Sequence, residues 1–412
     1  MTESTSPKLA VVGAGPVGLA LAIHAANALP EASITLFDAR TGQHDVAADP
    51  RTLALSLGSV QLLERLEAWR AGGAQPIVEV HVSQQAPSLA ATLLARLGEP
   101  ALTIRAVDEG VPMLGAVLSY GAIVAPLQEV WLDAVAREPK RLVSRFGSPV
   151  AALKNVAGGA EVDAGIAERF DLAVVAEGGV FAAAARPALV AGSRWPALRH
   201  DYGQTAWVGT VRFEGGSAAP GDSTRGIAFE RFTRHGPAAL LPLADARAAL
   251  VWCVASDDDP VRDLDAAQRT VVLNTVFHPS TPRIAEVSPL KSFALGLIAE
   301  KTLTDGRIVR IGNAAQTLHP VAGQGLNLGM RDAFELVRSL SRRTDVDAVL
   351  RQLEWQRAPD RWAMIGATDF LARSFTWTLP GAAAARGLGL RMIQALGPVK
   401  SSIARQMMFG SR

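Results

Sequence analysis

The chain opens with three runs whose pattern of apolar positions changes from one run to the next. Residues 9–12 are continuously apolar, residues 17–28 are rich in alanine and leucine, and residues 33–37 are mostly apolar and end at Asp38. A short buried strand, a helix and a second buried strand account for this order. The pattern therefore predicts a β-α-β unit, which is typical of a parallel sheet covered by helices.

The rest of the chain continues with the same two kinds of pattern. Helices are predicted at 59–69 and 128–136, from about Gly325, and from 346 onwards. The region 76–125 holds short β-like runs divided by polar and glycine positions. Further strands are predicted at 78–82, 170–176, 205–213, 227–232, 248–254 and 308–311. The last of these resembles the first strands, so distant segments are expected to complete the first sheet around a β-rich insertion.

Length and composition narrow the classes of protein. With 412 residues, 49% of them hydrophobic, the chain is expected to form two domains, or one domain with a large insertion. Its 41 basic and 39 acidic residues nearly balance, which argues against binding to nucleic acid. The single cysteine, Cys253, is expected to be a buried core thiol that forms no disulfide. Together with the expected absence of a signal peptide, this predicts a cytoplasmic protein.

The turn after the first strand carries the glycine pattern Gly13-x-Gly15-x-x-Gly18. Gly13 permits the tight turn, Gly15 lets a pyrophosphate approach the backbone, and Gly18 lets the helix pack closely on the strand. The N–H groups at the start of the helix attract phosphate. Asp38 ends the next strand, twenty residues past Gly18, where a carboxylate can bind a ribose hydroxyl. This combination predicts a dinucleotide site, which by itself suits NAD as well as FAD.

A second polar segment, 49–56, contains Arg51. An arginine in a loop beside a nucleotide site could contact a cofactor phosphate or a carbonyl oxygen. The alternative is a solvated surface arginine.

A third pattern, residues 312–327, follows a predicted strand and precedes a predicted helix. Gly323 and Gly325 leave backbone N–H groups open at the helix start, which suits an anion or a carbonyl oxygen. The O2 atom of a flavin ring, which gains negative charge on reduction, would suit this position. His319 lies directly before Pro320 in this loop, and we interpret it as a packing residue rather than an acid or base.

In this order and spacing, the three patterns resemble the class A flavoprotein hydroxylases, with the fold typified by para-hydroxybenzoate hydroxylase. Within that class, residues 312–320 are similar to the hydroxylases of ubiquinone biosynthesis, and most of all to the 2-octaprenyl-6-methoxyphenol hydroxylase subfamily. Other segments with the same similarity are 229–233, 235–237, 241–243 and 365–369. The likeness covers nearly the whole chain and is weaker at 84–120.

The resemblance implies an FAD site assembled from distant segments. The residues implied to hold the adenosine diphosphate half are Gly13, Gly15, Pro16, Val17, Gly18 and Asp38. Those implied to lie near the pyrophosphate or ribitol are Arg51, Gln128, Gly312 and Asn313. Those implied to line the flavin ring are Pro320, Gly323, Gln324, Gly325, Leu326 and Asn327.

The chain departs from the family pattern in two places. Glu177-Gly178 stands where the family usually has Asp-Gly, and Phe181 replaces a small polar residue. In the class this motif contributes to handling FAD and reduced nicotinamide, so the departure bears on the electron donor. Asn313 and Gln316 stand where related ubiquinone hydroxylases usually have Asp and His.

The fold class expected from the pattern and the resemblance is α/β. A Rossmann-like FAD-binding domain is predicted to comprise 1–75, 121–190 and 303–345. A β-rich substrate domain is predicted to comprise 76–120 and 191–302. Residues 346–412 are predicted to form a helical C-terminal region.

The resemblance implies an enzyme that hydroxylates the ring of a polyprenylated phenol in ubiquinone biosynthesis. It would be a monooxygenase that uses FAD, O2 and a reduced donor such as NAD(P)H, and the oxygen would be delivered from a flavin C4a-hydroperoxide. No metal site is expected. Seven aromatic residues could line an apolar tunnel, but ordinary core packing is the interpretation that we favour for each: Trp207, Phe229, Phe232, Trp252, Phe370, Phe375 and Trp377.

Two alternatives to this function stay open. One is a flavoenzyme of the same fold that acts on another aromatic or prenyl substrate. The other is a non-catalytic flavin-binding subunit of a biosynthetic complex. Residues 388–409 are apolar with interspersed Arg391, Lys400 and Arg405, so they could lie on the inner membrane surface, or pack on the first domain or a partner subunit.

Overall fold

The computed structural model describes residues 7–85, 99–177, 197–215, 226–343, 345–374 and 381–410. Its helices are α1 Pro16–Ala28, α2 Leu57–Arg65, α3 Tyr120–Arg137, α4 Ala266–Val276, α5 Gln324–Leu340, α6 Val346–Ser374, α7 Ala382–Ala395 and α8 Gly397–Phe409. Its strands are β1 Lys8–Val12, β2 Ser33–Asp38, β3 Thr52–Ser56, β4 Gln75–Ile77, β5 Glu79–Gln84, β6 Ala101–Arg105, β7 Gly115–Ser119, β8 Leu142–Phe146, β9 Ala152–Val156, β10 Gly159–Asp163, β11 Ala167–Phe170, β12 Leu172–Val175, β13 Ala197–Phe213, β14 Ile227–Thr233, β15 Gly236–Leu243, β16 Arg247–Ala255, β17 Ile284–Val287, β18 Lys291–Glu300, β19 Thr304–Asp305, β20 Ile308–Arg310 and β21 Gln316–Thr317.

The first sheet has the strand order β19-β20-β12-β1-β2-β8. All of its neighbouring strands are parallel except β19 and β20. Helices α1, α3 and α5 cover one face, where Leu21, Trp131 and Leu336 are fully buried. The small antiparallel sheet β9-β10-β11 covers the other face through Leu153 and Phe170. A parallel sheet buried on both faces explains why its strands are continuous apolar runs.

The large sheet has the order β21-β18-β13-β16-β15-β14-β5-β6, with β17 beside β13. We call the side covered by α4 its outer face; Trp207, Phe229, Trp252 and Leu273 form the core there. The opposite side, the inner face, packs against the loop that precedes α5 and against α6, α7 and α8. A third, small sheet has the order β3-β7-β4, and its strands alternate along the chain with strands of the two larger sheets. The predicted α/β class, with a Rossmann-like sheet and a β-rich part, is confirmed.

Several of the predicted elements have different bounds in the structure; the strand expected at 205–213, for example, begins at Ala197. The helix expected at 128–136 begins at Tyr120, so the expectation of β-like structure up to 125 is wrong for its last residues. The Ser119 side chain accepts a hydrogen bond from Ala122 N at 3.1 Å and caps the helix. Burial of Ile123, Val124 and Leu127 outweighs the backbone hydrogen bond lost at Pro126.

The run 170–176 is divided between two sheets. Asp171 accepts a hydrogen bond from Lys8 N at 2.7 Å, and the chain turns there from β11 into β12. The helix expected at 59–69 ends at Arg65, because Glu67 adopts a left-handed backbone with φ of 58°. Within the described residues, no helix is both long and apolar enough to cross a membrane.

Candidate functional site

The glycine turn is packed too tightly for side chains. A Cβ on Gly18 would overlap the carbonyl oxygen of Gly13, and a Cβ on Gly13 would lie 2.8 Å from the Cα of Glu177. Gly13 also has φ of 104°, a conformation that only glycine adopts readily. Gly15 differs, since a Cβ there would meet only the Tyr120 hydroxyl, at 3.6 Å. The turn is therefore closed where strand and helix pack and open at Gly15, where a pyrophosphate would approach.

Helix α1 begins at Pro16, and no side chain caps its N-terminus. The first N–H groups of a helix have no partner within the helix and carry partial positive charge. The structure thus brings Gly13, Gly15, Gly18 and this helix start together in the arrangement expected for an anion site.

Asp38 lies at the end of β2 against the glycine turn, and its carboxylate is buried. Its Oδ2 accepts from Ala14 N at 2.6 Å and from Arg40 Nη2 at 3.1 Å. Its Oδ1 accepts from the backbone N and the Nε of Arg40 at 2.7 and 3.0 Å. Because a carboxylate offers about four acceptor positions, a ribose hydroxyl would have to share Asp38 with Arg40. Sequence patterns gave no signal for Arg40.

Arg51 lies near the glycine turn but forms an ion pair with Asp49, at 2.7 Å between Nη2 and Oδ2. Its hydrogen bonds lower the pKa of the Asp49 carboxyl. The Arg51 guanidinium stacks 4.3 Å from the centre of the Tyr120 ring, and the Tyr120 hydroxyl faces Gly15. Tyr120, which the sequence analysis did not select, is thus the residue of α3 nearest the turn. Gln128 lies farther along α3, about 12 Å along the axis from Tyr120, and its role near the cofactor stays a prediction.

The second loop meets the glycine turn through Val17. A Cβ on Gly312 would lie 3.4 Å from Val17 Cγ2, and a Cβ on Gly329 would lie 2.9 Å from the same atom. Gly312 has φ of 59°, which favours glycine. Two segments far apart in sequence therefore meet where Val17 contacts Gly312 and Gly329. This contact places the start of α1 and the start of α5 in one site.

Helix α5 begins at Gln324, after Gly323 in a left-handed conformation with φ of 59°, and no side chain caps it. Pro320 begins this turn, since its carbonyl accepts from Gly323 N at 3.0 Å. The N–H groups of residues 324–326, which include Leu326, are those without a partner inside the helix. A Cβ on Gly325 would lie 3.8 Å from Asn313 Oδ1, so Asn313 and Gly325 are neighbours as expected. The Gln324 side chain is buried and accepts from Arg331 Nη2 at 3.3 Å.

The side chain of Asn327 is engaged within the protein. Its Oδ1 accepts from Ser56 N at 2.7 Å and from Ser59 Oγ at 2.8 Å. Its Nδ2 donates to the carbonyls of Ala54 and Gly323, at 3.1 and 3.0 Å. The amide is thus fully used in tying α5 to β3 and α2, and it holds the flavin-lining turn in place instead of offering a free group to a ring.

His319 is a packing residue, in line with the sequence interpretation. It is almost fully buried; its Nδ1 accepts from Val321 N at 3.2 Å, and its Nε2 lies 3.0 Å from Gln204 Oε1. Nε2 therefore carries the proton and donates to Gln204. Burial lowers the pKa of His319 to about 4. Near neutral pH the ring is uncharged and links the loop to the large sheet.

The aromatic residues proposed as tunnel walls separate onto different sides of the large sheet. Trp207, Phe229 and Trp252 lie on the outer face, in the core under α4, which confirms the core packing favoured for these three. Phe232 lies on the inner face against Val321 of the second loop. Phe370 is exposed on α6. Phe375 and Trp377 lie outside the described residues.

The inner face near Phe232 also carries Glu230, since residues two apart on a strand share a face. Cys253, fully buried on β16, is close enough to Glu230 for that carboxylate, together with burial, to raise the pKa of the thiol. Cys253 is thus the buried core thiol expected from the sequence. From the sequence, Glu230 stood out only as part of the family-like segment 229–233. The face of the sheet on which a strand residue lies can be assigned only when the packing of the sheet is known.

A network of buried charged and amide side chains links the second loop to α5 and α6. Asp332 on α5 accepts from Arg357 Nε at 2.8 Å and from Gln316 Nε2 at 3.2 Å. The Gln316 Oε1 in turn accepts from Arg361 Nε at 2.7 Å. Gln316 therefore donates a hydrogen bond to the Asp332 carboxylate and accepts one from the Arg361 guanidinium. An amide side chain, which has both a donor and an acceptor, suits this position.

Glu177 lies half-buried beside Gly13, directly after β12. The departure from the family pattern is therefore in contact with the glycine turn. Gly178 and Phe181, which complete that motif, lie outside the described residues.

Comparison with known proteins agrees with this geometry. The family model of the FAD binding domain matches residues 203–368, which include the second loop. The chain is 31% identical to the ubiquinone hydroxylase UbiL of Rhodospirillum rubrum, over 97% of this chain and 88% of that protein. The chain belongs to the ubiquinone hydroxylase family. It is also 29% identical to the 3-demethoxyubiquinol 3-hydroxylase of Escherichia coli, over 95% of this chain and 96% of that protein.

Solved structures of other proteins share the fold of this chain. Klebsiella pneumoniae HpxO, complexed with FAD and uric acid, aligns with a TM-score of 0.68 at 16% identity, over 98% of this chain and 97% of that one. The p-nitrophenol 4-monooxygenase PnpA from Pseudomonas putida aligns with a TM-score of 0.69 at 14% identity, over 98% and 100%. The family resemblance stated from the sequence is confirmed, and FAD is the cofactor.

The residues present fit FAD. Gly15 leaves room for a pyrophosphate, both helix starts lack a side-chain cap, and Asp38 stands at the end of β2. The roles of the individual residues stay predictions.

Proposed function

We propose that the protein hydroxylates one ring carbon of a polyprenylated phenol in ubiquinone biosynthesis, with O2 as oxygen source and NAD(P)H as electron donor. Bound FAD would supply the oxygen-activating chemistry. The observation that carries the proposal is the convergence of two uncapped helix starts at Val17, Gly312 and Gly329. One helix start suits the phosphates, and the other suits the ring oxygen of a flavin.

The start of α5 has two tasks in this proposal. The N–H groups of Gln324, Gly325 and Leu326 stabilise negative charge on the ring oxygen. Asn327 keeps those N–H groups oriented, because its amide ties the first turn of α5 to Ala54, Ser56 and Ser59. Neutral His319 adds no charge behind the ring and fixes the loop to Gln204.

The inner face of the large sheet supplies the surface for the phenol. Phe232, packed against Val321, brings apolar surface next to the second loop and excludes water there. Glu230 brings a carboxylate to the same face, where it can accept a hydrogen bond from a phenol hydroxyl. Such a bond increases the electron density of the ring and favours attack by an electrophilic oxygen.

The division of the chain follows from these roles. We propose that the segments 1–75, 121–190 and 303–345 form the FAD-binding domain, and that 76–120 and 191–302 form the substrate domain. The segment 346–412 would form the helical region.

Glu177, which stands where the family usually has Asp, contacts Gly13. This contact supports a role of Glu177 in the access of the electron donor. A lipid-like substrate further favours a position at the membrane periphery or within a biosynthetic complex.

The test of the proposal begins with the absorbance spectrum of the purified protein. We expect a yellow protein whose flavin band bleaches when NADH or NADPH is added with a prenylated phenol. We also expect one oxygen atom from labelled O2 in the product, measured by mass spectrometry. A colourless protein that cannot be reconstituted with FAD would refute the enzyme, and a product with only saturated prenyl groups would show another reaction of the same fold.

Gly325→Ala offers a sharp variant for this test. The added methyl group would lie 3.8 Å from the nearest atom, Asn313 Oδ1, so the fold has room for it. The same methyl group would occupy the helix start where a flavin ring approaches. We expect a folded protein that retains little flavin or turnover. Gly366→Ala, in α6 with nothing within 4 Å of its Cβ, is the matched control and should retain both.

A further inference from the structure

Helices α7 and α8 meet at a corner whose outward side is apolar. The exposed fractions of Leu388, Met392, Leu396 and Val399 are 60%, 54%, 49% and 44%. The first three follow one another at intervals of four residues, so they form a ridge along α7 that Val399 continues onto α8. We call these four residues the corner ridge. Single exposed apolar residues are ordinary, whereas a contiguous row on one helix is not.

The opposite side of α7 fixes the direction of the corner ridge. Leu390 and Ile393 pack into the core cluster beside β6. The Gln394 side chain accepts from Thr103 N at 2.9 Å. A Cβ on Gly387 would lie 2.7 Å from Pro100 Cγ, so α7 rests directly on this edge of the large sheet. The outward orientation of the corner ridge is therefore set by packing and not by a free helix that could turn over.

The charge of this end of the chain is one-sided. Residues 370–412 contain six Lys or Arg and no Asp or Glu, while the rest of the chain has more acidic than basic residues. Arg405 is largely exposed and lies 3.7 Å from Glu109, and Lys400 lies 3.7 Å from Asp108. Both distances exceed a hydrogen bond but lie within the range of an ion pair, so Lys400 and Arg405 each have an acidic partner. Half-buried Arg391 stands directly before Met392 of the ridge.

The corner lies on the same face of the large sheet as the second loop. Met408 and Leu390 cover the inner face beside Val80 and Ala228, and Phe232 meets Val321 farther along it. The surface next to α7 therefore continues towards the proposed ring site.

We propose that the corner ridge docks the protein onto an anionic lipid bilayer, with its four apolar side chains in the interfacial layer and the neighbouring Arg391, Lys400 and Arg405 near the headgroups. This inference extends the proposed function, in which the substrate is lipid-borne. Exposed apolar side chains with flanking basic residues are the features by which interfacial helices bind anionic lipid. The attachment is peripheral, since in the described part of the chain no helix is both long and apolar enough to cross a membrane.

A second copy of the chain fits this ridge less well. Four half-exposed side chains offer roughly half of the ~800 Å² per partner that a stable protein interface buries. A shared excess of basic residues would also repel an identical surface. A bilayer needs no matching shape and is favoured by the same charge.

The experiment measures sedimentation of the flavin-loaded protein with vesicles of phosphatidylcholine, alone or mixed equally with phosphatidylglycerol. We expect binding to the anionic vesicles, reduced by high salt, and little binding to phosphatidylcholine alone. Leu388→Glu should weaken binding by about tenfold or more, since it replaces buried apolar contact with a charge that the headgroups repel. Val271→Glu on α4, at a position 65% exposed and outside the corner, is the matched control and should bind as the native protein does.

Three outcomes would overturn the proposal: a native protein that stays in solution with anionic vesicles, equal losses in Leu388→Glu and Val271→Glu, and a Leu388→Glu variant that changes the oligomeric state but not vesicle binding. The last would assign the ridge to a second copy. The vesicles contain no phenol, so failure of docking is distinguishable from failure of the hydroxylase activity.

Discussion

Gly18 approaches Gly13 so closely that any side chain on Gly18 would overlap the Gly13 carbonyl oxygen. The obstacle is backbone, which cannot move aside as a flexible side chain would. We therefore expect Gly18→Ala to separate α1 from β1, with a loss of roughly 2–4 kcal/mol of unfolding free energy and of bound FAD. Urea unfolding and the flavin-to-protein ratio measure the two effects.

Gly389→Ala is the control for this prediction, since a Cβ at that helical position meets nothing within 4 Å. It should leave stability unchanged or raise it by up to about 1 kcal/mol. Equal stability of the Gly18 and Gly389 variants would contradict the close packing of the turn.

Asp38→Asn tests the adenosine end of the site. The substitution removes the charge that holds Arg40 and the Ala14 N–H group in place. A hydrogen bond to a charged group contributes about 1.5–3 kcal/mol, so the FAD dissociation constant should rise by roughly 10- to 100-fold. Flavin fluorescence during titration of the apoprotein measures it. Asp245→Asn, at an exposed position, should not change the constant; an unchanged constant in Asp38→Asn would leave this carboxylate only a role in the turn.

Asn327→Asp tests whether the amide holds the start of α5. Replacing its NH2 group by an oxygen would set a charge against the carbonyls of Ala54 and Gly323. Loss of two buried donors should cost about 2–4 kcal/mol of unfolding free energy. Asn155→Asp is the control, because that side chain also bonds backbone groups but lies at an exposed position of β9. A similar small loss in both variants would show that Asn327 is not a structural tie.

The lowered pKa of His319 predicts how the free energy of unfolding depends on pH. Its pKa is about 4 in the folded protein, lowered by burial from the ordinary value of 6.5. The unfolded chain therefore binds a proton more readily, so this stabilisation is complete above about pH 6.5 and is lost as the pH falls towards about 4. The loss is on the order of 3 kcal/mol. Urea unfolding over this range should show a gap between the native protein and His319→Gln that narrows at low pH.

The surface substitution His44→Gln should leave the native pH dependence in place. A constant gap between the native protein and His319→Gln across the range would mean that His319 does not titrate in this way.

Asp360→Asn tests the buried network that joins α5, α6 and α8. Asp360 accepts from Arg331 at 2.9 Å, from Arg357 at 2.8 Å and from Gln406 at 2.8 Å. Removing a carboxylate from between two buried guanidinium groups typically costs about 3–5 kcal/mol. We expect that loss in urea unfolding, with faster proteolysis of the C-terminal helix. Asp347→Asn, which breaks an exposed pair with Arg307, should cost under about 1 kcal/mol; equal effects would contradict a structural role for the network.

Local patterns in the sequence were sufficient to predict the two glycine-containing loops and the helices that follow them. The first strand, the glycine turn, the helix and Asp38 follow one another within forty residues. Their geometry is therefore set by local backbone sterics and by the spacing of apolar residues along the chain. The loop at 312–327 follows the same logic. Bounds were wrong where packing outweighed local preference, as at Tyr120, where buried Ile123 and Leu127 carry the helix through Pro126.

Other features depend on contacts between distant segments, and only the tertiary structure decided them. Val17 meets Gly312 because the first sheet brings β1 and β20 to either side of β12. The face of each aromatic residue on the large sheet depends on which layer covers it, so Trp207 and Phe232 could not be told apart beforehand. By itself the sequence determined that a dinucleotide turn and a flavin loop exist; the fold decided that Asn327 is a tie, that Arg40 shares Asp38 and that the corner ridge faces outward, because each depends on a partner far away along the chain.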